Sequence, residues 1–149
     1  MGQPNFLIVV ADDLGFSDTS PYGGEIKTPT LERLAKDGIR LTNFHTAAAC
    51  SPTRAMLMSG TDHHIAGLGQ LAEHMAAQYP KVFEGRQGYE GYLNFRVAAL
   101  PEILKDAGYH SIMSGKWLVY ILSLPPDTAH SCMQALRNEE GALSCSQRF

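Results

Sequence analysis

Apolar positions recur at two spacings along the chain, and the spacing predicts the order of its elements. Phe6-Leu7-Ile8-Val9-Val10-Ala11 is an unbroken apolar run between Asn5 and the pair Asp12-Asp13. A short run rich in β-branched residues and without alternation predicts a strand covered on both faces. From Thr28 to Gly38 the spacing changes, and Leu31, Leu34 and Ala35 share one face of a helix. Thr28 suits its cap, Pro29 its first position and Gly38 its end. Residues 39–44 alternate and predict a second strand. Pro52 to Met58 predicts a short helix, with Pro52 at its start and Gly60 past its end. A weaker helical stretch covers 71–79, and the glycine-rich segment 80–93 reads as a loop. Residues 97–107 predict another helix, with Leu100, Leu104 and Ala107 on one face and Gly108 as its stop. Residues 109–114 predict a third strand.

Strands alternating with helices predict an α/β fold with a mainly parallel sheet flanked by helices. In such sheets, sites gather beyond the carboxyl ends of strands. Three chemically loaded groups fall there: Asp12-Asp13, Cys50 to Arg54, and Lys116. The character changes after Trp117. Leu118 to Leu124 is apolar, Pro125-Pro126 breaks it, and only a short helix near 131–137 is expected beyond. The expected organisation is therefore one domain portion over 1–117 and a divergent tail over 118–149 with no domain assigned.

Composition narrows the function classes. A chain of 149 residues with 44% hydrophobic residues can bury one core. Its net charge of −3, with acids and bases interspersed, argues against a nucleic-acid partner and a basic membrane-surface helix. No apolar run is long enough to span a bilayer. The run 6–11 has no basic leader and ends in two acids, so it does not read as a signal peptide, and a cytoplasmic location is favoured. Cys50, Cys132 and Cys145 are too few and too scattered for a disulfide framework or a zinc-site spacing.

Adjacent carboxylates such as Asp12 and Asp13 repel each other unless something positive lies near. A hard cation fits them, and so does a solvated turn or a helix cap. Cys50-Ser51-Pro52-Thr53-Arg54 is more specific. A helix opening beside Cys50 directs backbone N–H groups at an anion, and Arg54 adds a planar cationic fork for oxyanions. The alternative is a buried cysteine ahead of an ordinary helix. Vicinal His63 and His64 suit a solvated loop or a substrate-lining role. His45 lies five residues before Cys50 and is ambiguous, while His74 and His130 read as ordinary. Tyr109 and Trp117 read as packing residues.

Four segments in order resemble the formylglycine-dependent sulfatase family, part of the alkaline-phosphatase superfamily. They are Asn5 to Asp18, Thr28 to Gly38, Phe44 to Gly60 and Gly108 to Trp117. Thr61-Asp-His-His64 and Gly88-Tyr-Glu-Gly91 are closest to bacterial and fungal arylsulfatases. The resemblance covers residues 4–117. It implies an alkaline-phosphatase-like sheet, incomplete over this span. It also implies that Cys50, in Cys-x-Pro-x-Arg, is oxidised to formylglycine by a formylglycine-generating enzyme.

Asp12 and Asp13 would then bind one Ca²⁺ together with residue 50. Arg54 would hold the modified residue, Lys116 would contact the sulfate, and His63 and His64 would line the substrate. The implied substrate is a small-molecule sulfate ester. The family's second signature continues from Gly-Lys-Trp into His-Leu-Gly, where this chain has Leu118-Val119-Tyr120. Further ligands, an Asp-Asn pair among them, are expected outside the resembling span. Two other readings stay open. One is a truncated, inactive sulfatase-like chain. The other is a phosphonate or phosphate monoester hydrolase of the same superfamily, against which the Thr61 to His64 loop favours sulfate.

Overall fold

The computed structural model describes residues 3–71, 74–75 and 80–116, and these form two compact units divided between His45 and Thr46. The tail after Lys116, with Trp117, His130, Cys132, Cys145 and the helix expected near 131–137, lies outside the described residues. So does most of the stretch 71–79.

The first unit is built on a clasp and one helix. Gly15 and Asp18 close a turn on each other, with Asp18 N–H donating to Gly15 O and Gly15 N–H to Asp18 Oδ2. A 3-10 turn at Ser20–Tyr22 ends at Gly23, whose φ of 92° suits a residue without Cβ. Helix α1 runs Pro29–Asp37, within the predicted bounds. Thr28 precedes it without capping it through its side chain. Its hydroxyl instead pairs with Ser20 Oγ at 2.8 Å and accepts from Ser20 N–H at 3.2 Å, tying the helix to the 3-10 turn. Gly38 follows the helix in extended backbone rather than a left-handed cap. Arg40 Nη1 donates to Pro21 O at 2.7 Å and closes the unit.

The second unit carries the core. Helix α2 spans Cys50–Ser59, beginning two residues before the predicted start. Pro52 is thus its third residue, where the missing N–H would have had no partner inside the helix. Gly60 ends α2 in the left-handed region (φ 65°), its N–H bonded to Met56 O at 2.8 Å. Helix α3 is a single turn, Pro80–Phe83, within the expected loop. Helix α4 runs Leu100–Asp106, three residues shorter at its start than predicted. Pro101 fits its first turn, and Glu102 Oε2 accepts the Ala99 N–H at 2.7 Å. At its end, Gly108 N–H bonds Lys105 O and Tyr109 N–H bonds Leu104 O, a Schellman closure that needs the φ of 83° at Gly108.

Ala55, Ala66, Leu68, Leu93 and Ala99 make the core, with Met58 and Val97 against it. The loop 61–69 is zipped to the loop 88–94. Gly69 N–H donates to Gly88 O, Gly91 N–H to Gly67 O and Asn94 N–H to Ala66 O. Asn94, 7% exposed, adds its Nδ2 to Ile65 O at 2.9 Å and receives Arg96 N–H on Oδ1 at 3.0 Å. A Cβ on Gly67 would lie 2.5 Å from Tyr92 O, which is why the two loops can approach so closely only with glycine there.

The expected sheet does not form among the described residues. Segments 6–11, 39–44 and 109–114 carry no ladder, and the one β-bridge is an isolated parallel contact between Thr19 and Ile26. A strand exists only through hydrogen bonds to a neighbour, and these segments have none of that kind here. Leu7 and Ile39 are each 89% exposed, as unburied strand residues would be.

Asn94 supplies bonds that no neighbouring side chain can replace. Asn94→Ala is expected to lower stability by about 1–3 kcal/mol, read as a fall in the chemical denaturation midpoint. An unchanged midpoint would mean that the backbone bonds alone hold the two loops together.

Candidate active site

Cys50 is the first residue of α2, half-buried, after Ala49 in extended backbone. Thr53 closes the opening turn twice. Its N–H donates to Ala49 O at 3.1 Å and its hydroxyl to Ala47 O at 3.0 Å. Ser51, Pro52 and Ala55 are buried, so the helix turns its inner face to the core and leaves Cys50 at the margin. Ser51 Oγ is fully buried with no hydrogen-bond partner among the described residues. The sequence reading passed over it.

Lys116 comes to this helix end from 66 residues away, its Nζ donating to Cys50 Sγ at 3.5 Å. Arg54, one turn further along α2, donates from Nη1 to Lys116 O at 2.9 Å. The guanidinium thus fixes the backbone that presents the lysine. Of the expected site residues, Cys50, Arg54 and Lys116 are therefore brought together. A thiol at a helix N-terminus with an ammonium beside it is an oxyanion site in its electrostatics.

Asp12 and Asp13 lie in the first unit, both exposed. Asp13 has φ 52°, the left-handed region that non-glycine residues seldom adopt. Their carboxylates offer hard oxygen donors in a sharp turn.

His63 and His64 follow the other end of α2, beyond the left-handed Gly60. Their rings lie 4.2 Å apart between centroids, tilted by 35°. Tyr89 meets His64 edge-on at 5.6 Å and stacks on Phe83 at 4.8 Å. His63 Nδ1 lies 3.2 Å from Leu68 O. Asp62, absent from the expected site residues, holds this loop: its Oδ1 accepts the His64 N–H at 2.8 Å and lies 3.4 Å from His64 Nδ1. An aspartate two residues before a bonded N–H is a recognisable turn former, and that signal was available in the sequence.

The Asp62 carboxyl is held below the usual carboxylate range. The His64 backbone N–H is the main cause, and desolvation opposes it. The charges of His63 and His64 and the Ile65 N–H add to the lowering.

Comparison with known proteins identifies the family. The sulfatase family model matches residues 4–130. An uncharacterised sulfatase of Schizosaccharomyces pombe is 68% identical over 125 residues, covering 84% of this chain and 22% of that protein. The arylsulfatase of Klebsiella aerogenes is 40% identical over 115 residues, covering 77% of this chain and 24% of its own. Human N-acetylgalactosamine-6-sulfatase is 36% identical over 116 residues, covering 76% of this chain and 21% of its own. The chain belongs to the sulfatase family, a family of sulfuric ester hydrolases with an alkaline-phosphatase-like α/β fold. It spans about a fifth to a quarter of the length of these relatives.

The Asp62 turn gives a pH test with a defined sign. A carboxyl whose folded-state value is depressed stabilises the fold above its unfolded value, and that contribution is lost as pH falls through the folded value. A carbon-detected NMR titration should place the Asp62 midpoint below the ordinary aspartate value of about 3.9. A midpoint at or above that value would mean that the His64 N–H bond does not persist in solution.

Proposed function

We propose that this chain carries the nucleophile end of a sulfate-monoester hydrolase, with Cys50 converted to formylglycine by a formylglycine-generating enzyme. The observation that carries the reading is the meeting of Lys116 Nζ with Cys50 Sγ at 3.5 Å, its backbone held by Arg54. An isolated structural cysteine has no use for a cation delivered from 66 residues away.

Position 50 suits the modification. The oxidised side chain replaces sulfur with oxygen, and the helix end and the ammonium both favour oxygen carrying negative charge. The hydrated aldehyde supplies two hydroxyls on one carbon: one attacks sulfur and expels the alcohol or phenol, leaving sulfate esterified to residue 50, and loss of the other's proton re-forms the carbonyl and releases sulfate. Lys116 offsets charge on the sulfate oxygens and keeps the ester against residue 50. Arg54 keeps Lys116 in place through its carbonyl and adds positive potential at the same helix end. The backbone N–H groups of the first turn of α2, which have no partner inside the helix, complete the anion cradle.

On this reading, and as the family resemblance implies, Asp12 and Asp13 would hold one calcium ion, with residue 50 contributing an oxygen. Their donor chemistry fits: a hard divalent cation prefers carboxylate oxygen, and a thiol would not serve before its conversion. Bound calcium would supply positive charge that lowers the proton affinity of the attacking hydroxyl. Three donors are fewer than the six to eight that calcium takes, and the family resemblance puts the others beyond the span it covers. The substrate class is an aryl or alkyl sulfate. Loop 61–64 favours sulfate over the phosphonate and phosphate esters of the superfamily.

The test is peptide mass spectrometry over Cys50 on chain co-expressed with a formylglycine-generating enzyme, followed by hydrolysis of an aryl sulfate. The expected result is an aldehyde at position 50 and, in a version extended to the length of the relatives, turnover that Cys50→Ala abolishes. Lys116→Ala should lower kcat/KM by about 10²–10³-fold, the usual loss for a donor to a developing oxyanion. An unmodified thiol would sink the formylglycine reading. An aldehyde without turnover would favour the inactive, sulfatase-like alternative.

A further inference from the structure

Beyond the sulfate-ester reading, and independent of it, we propose that Asp62, His63 and His64 form a binding site for a borderline transition-metal cation such as Zn²⁺. One ligand atom from each residue lies within 4.8 Å of the other two. The His64 Nδ1 to Asp62 Oδ1 separation of 3.4 Å matches the edge of a tetrahedron whose metal–ligand bonds are about 2.0–2.1 Å. Two imidazoles and one carboxylate are a donor set that Zn²⁺ accepts with a fourth position left open. Calcium, which takes oxygen, would not choose it.

The orientation of His63 is the second observation. Leu68 O can only accept, so the ring nitrogen 3.2 Å from it carries the proton and Nε2 keeps its lone pair for a metal. Metal-binding histidines commonly fix their tautomer in this way, through a bond from the other nitrogen to a backbone carbonyl. Leu68 is itself fully buried, so this carbonyl is anchored in the core. The carboxylate is oriented as well, because Asp62 Oδ1 receives the His64 N–H at 2.8 Å and retains lone pairs for a cation.

The loop is held in place from outside. Gly69 N–H to Gly88 O and Gly91 N–H to Gly67 O pin it to the 88–94 segment, and Tyr89 lies against the His64 ring. A Cβ on Gly69 would come within 2.8 Å of His64 Cδ2, so the close approach of backbone to ring depends on glycine. Asp62 and His64 keep about half of their side-chain surface exposed, which leaves an entry path. The site also follows the C-terminal end of α2, where the helix dipole favours positive charge.

The test is titration of the metal-free chain with Zn²⁺ against a chromophoric chelator, run in parallel on Cys50→Ala to discount the thiol. The expected result is one equivalent bound in both proteins with a micromolar dissociation constant. His64→Gln and Asp62→Asn should each weaken binding by at least about tenfold, as ligand or orienting losses do. His45→Gln and His74→Gln should leave it unchanged. His63→Gln also removes the bond to Leu68 O, so circular dichroism accompanies that variant, and the other two carry the test if it misfolds. Absence of stoichiometric binding would overturn the proposal. So would Zn²⁺ binding that survives both His64→Gln and Asp62→Asn, or that disappears with Cys50→Ala. Altered KM for an aryl sulfate in His64→Gln with Zn²⁺ binding intact would assign the loop to substrate and equally overturn it.

Discussion

Burial of the inner face of α2 is the contact on which the rest of the second unit depends. Ser51, Pro52 and Ala55 turn inward, and Ala55 has no exposed surface against Ala66, Leu68, Leu93 and Ala99. These are small or medium side chains, so the stabilising area is modest and close approach matters more than bulk. The alanines let backbone segments come near enough for the Gly67, Gly69 and Asn94 bonds to form. Those bonds in turn satisfy polar groups that the packing would otherwise strand. Apolar contact and hydrogen bonding are thus conditions for each other here, because an unpaired buried amide would cost more than the small core returns.

Fixing α2 fixes two loaded termini at once. At the first, the helix presents Cys50 and, one turn on, Arg54, whose reach to Lys116 O draws in a segment 62 residues distant. That charge-assisted bond helps to make a remote lysine a neighbour of the thiol. Asp13, in the other unit, holds a backbone conformation that costs energy for any residue with a Cβ.

Helices were legible in the sequence where local chemistry decides them. Pro29–Asp37 was read to the residue from Pro29 and Gly38, and Gly60 and Gly108 were read correctly as stops. Starts were less legible. Pro52 reads as a first helical residue, yet Thr53 hydroxyl and N–H bonds extend the turn back to Cys50. The strands failed for a non-local reason. A run such as Phe6 to Ala11 states that a strand is wanted, but the ladder that makes one belongs to partners elsewhere in a sheet, and none pairs with it among the described residues. For the site, Cys50 and Arg54 could be argued from spacing and Lys116 from its place after an expected strand, whereas a role for Lys116 toward sulfate came only from family resemblance. Asn94 and the Leu68 carbonyl carry the loop pair through backbone geometry, which no residue pattern announces.

The two ends of α2 sort ligands by charge. Its N-terminal end offers orphan N–H groups, Lys116 and Arg54, a concentration of positive potential suited to anions. Its far end runs through Gly60 into Asp62 and two imidazoles, where orphan carbonyls and a carboxylate favour cations. The same element therefore carries both ends, and the small core that buries Ser51, Pro52 and Ala55 holds the helix between them.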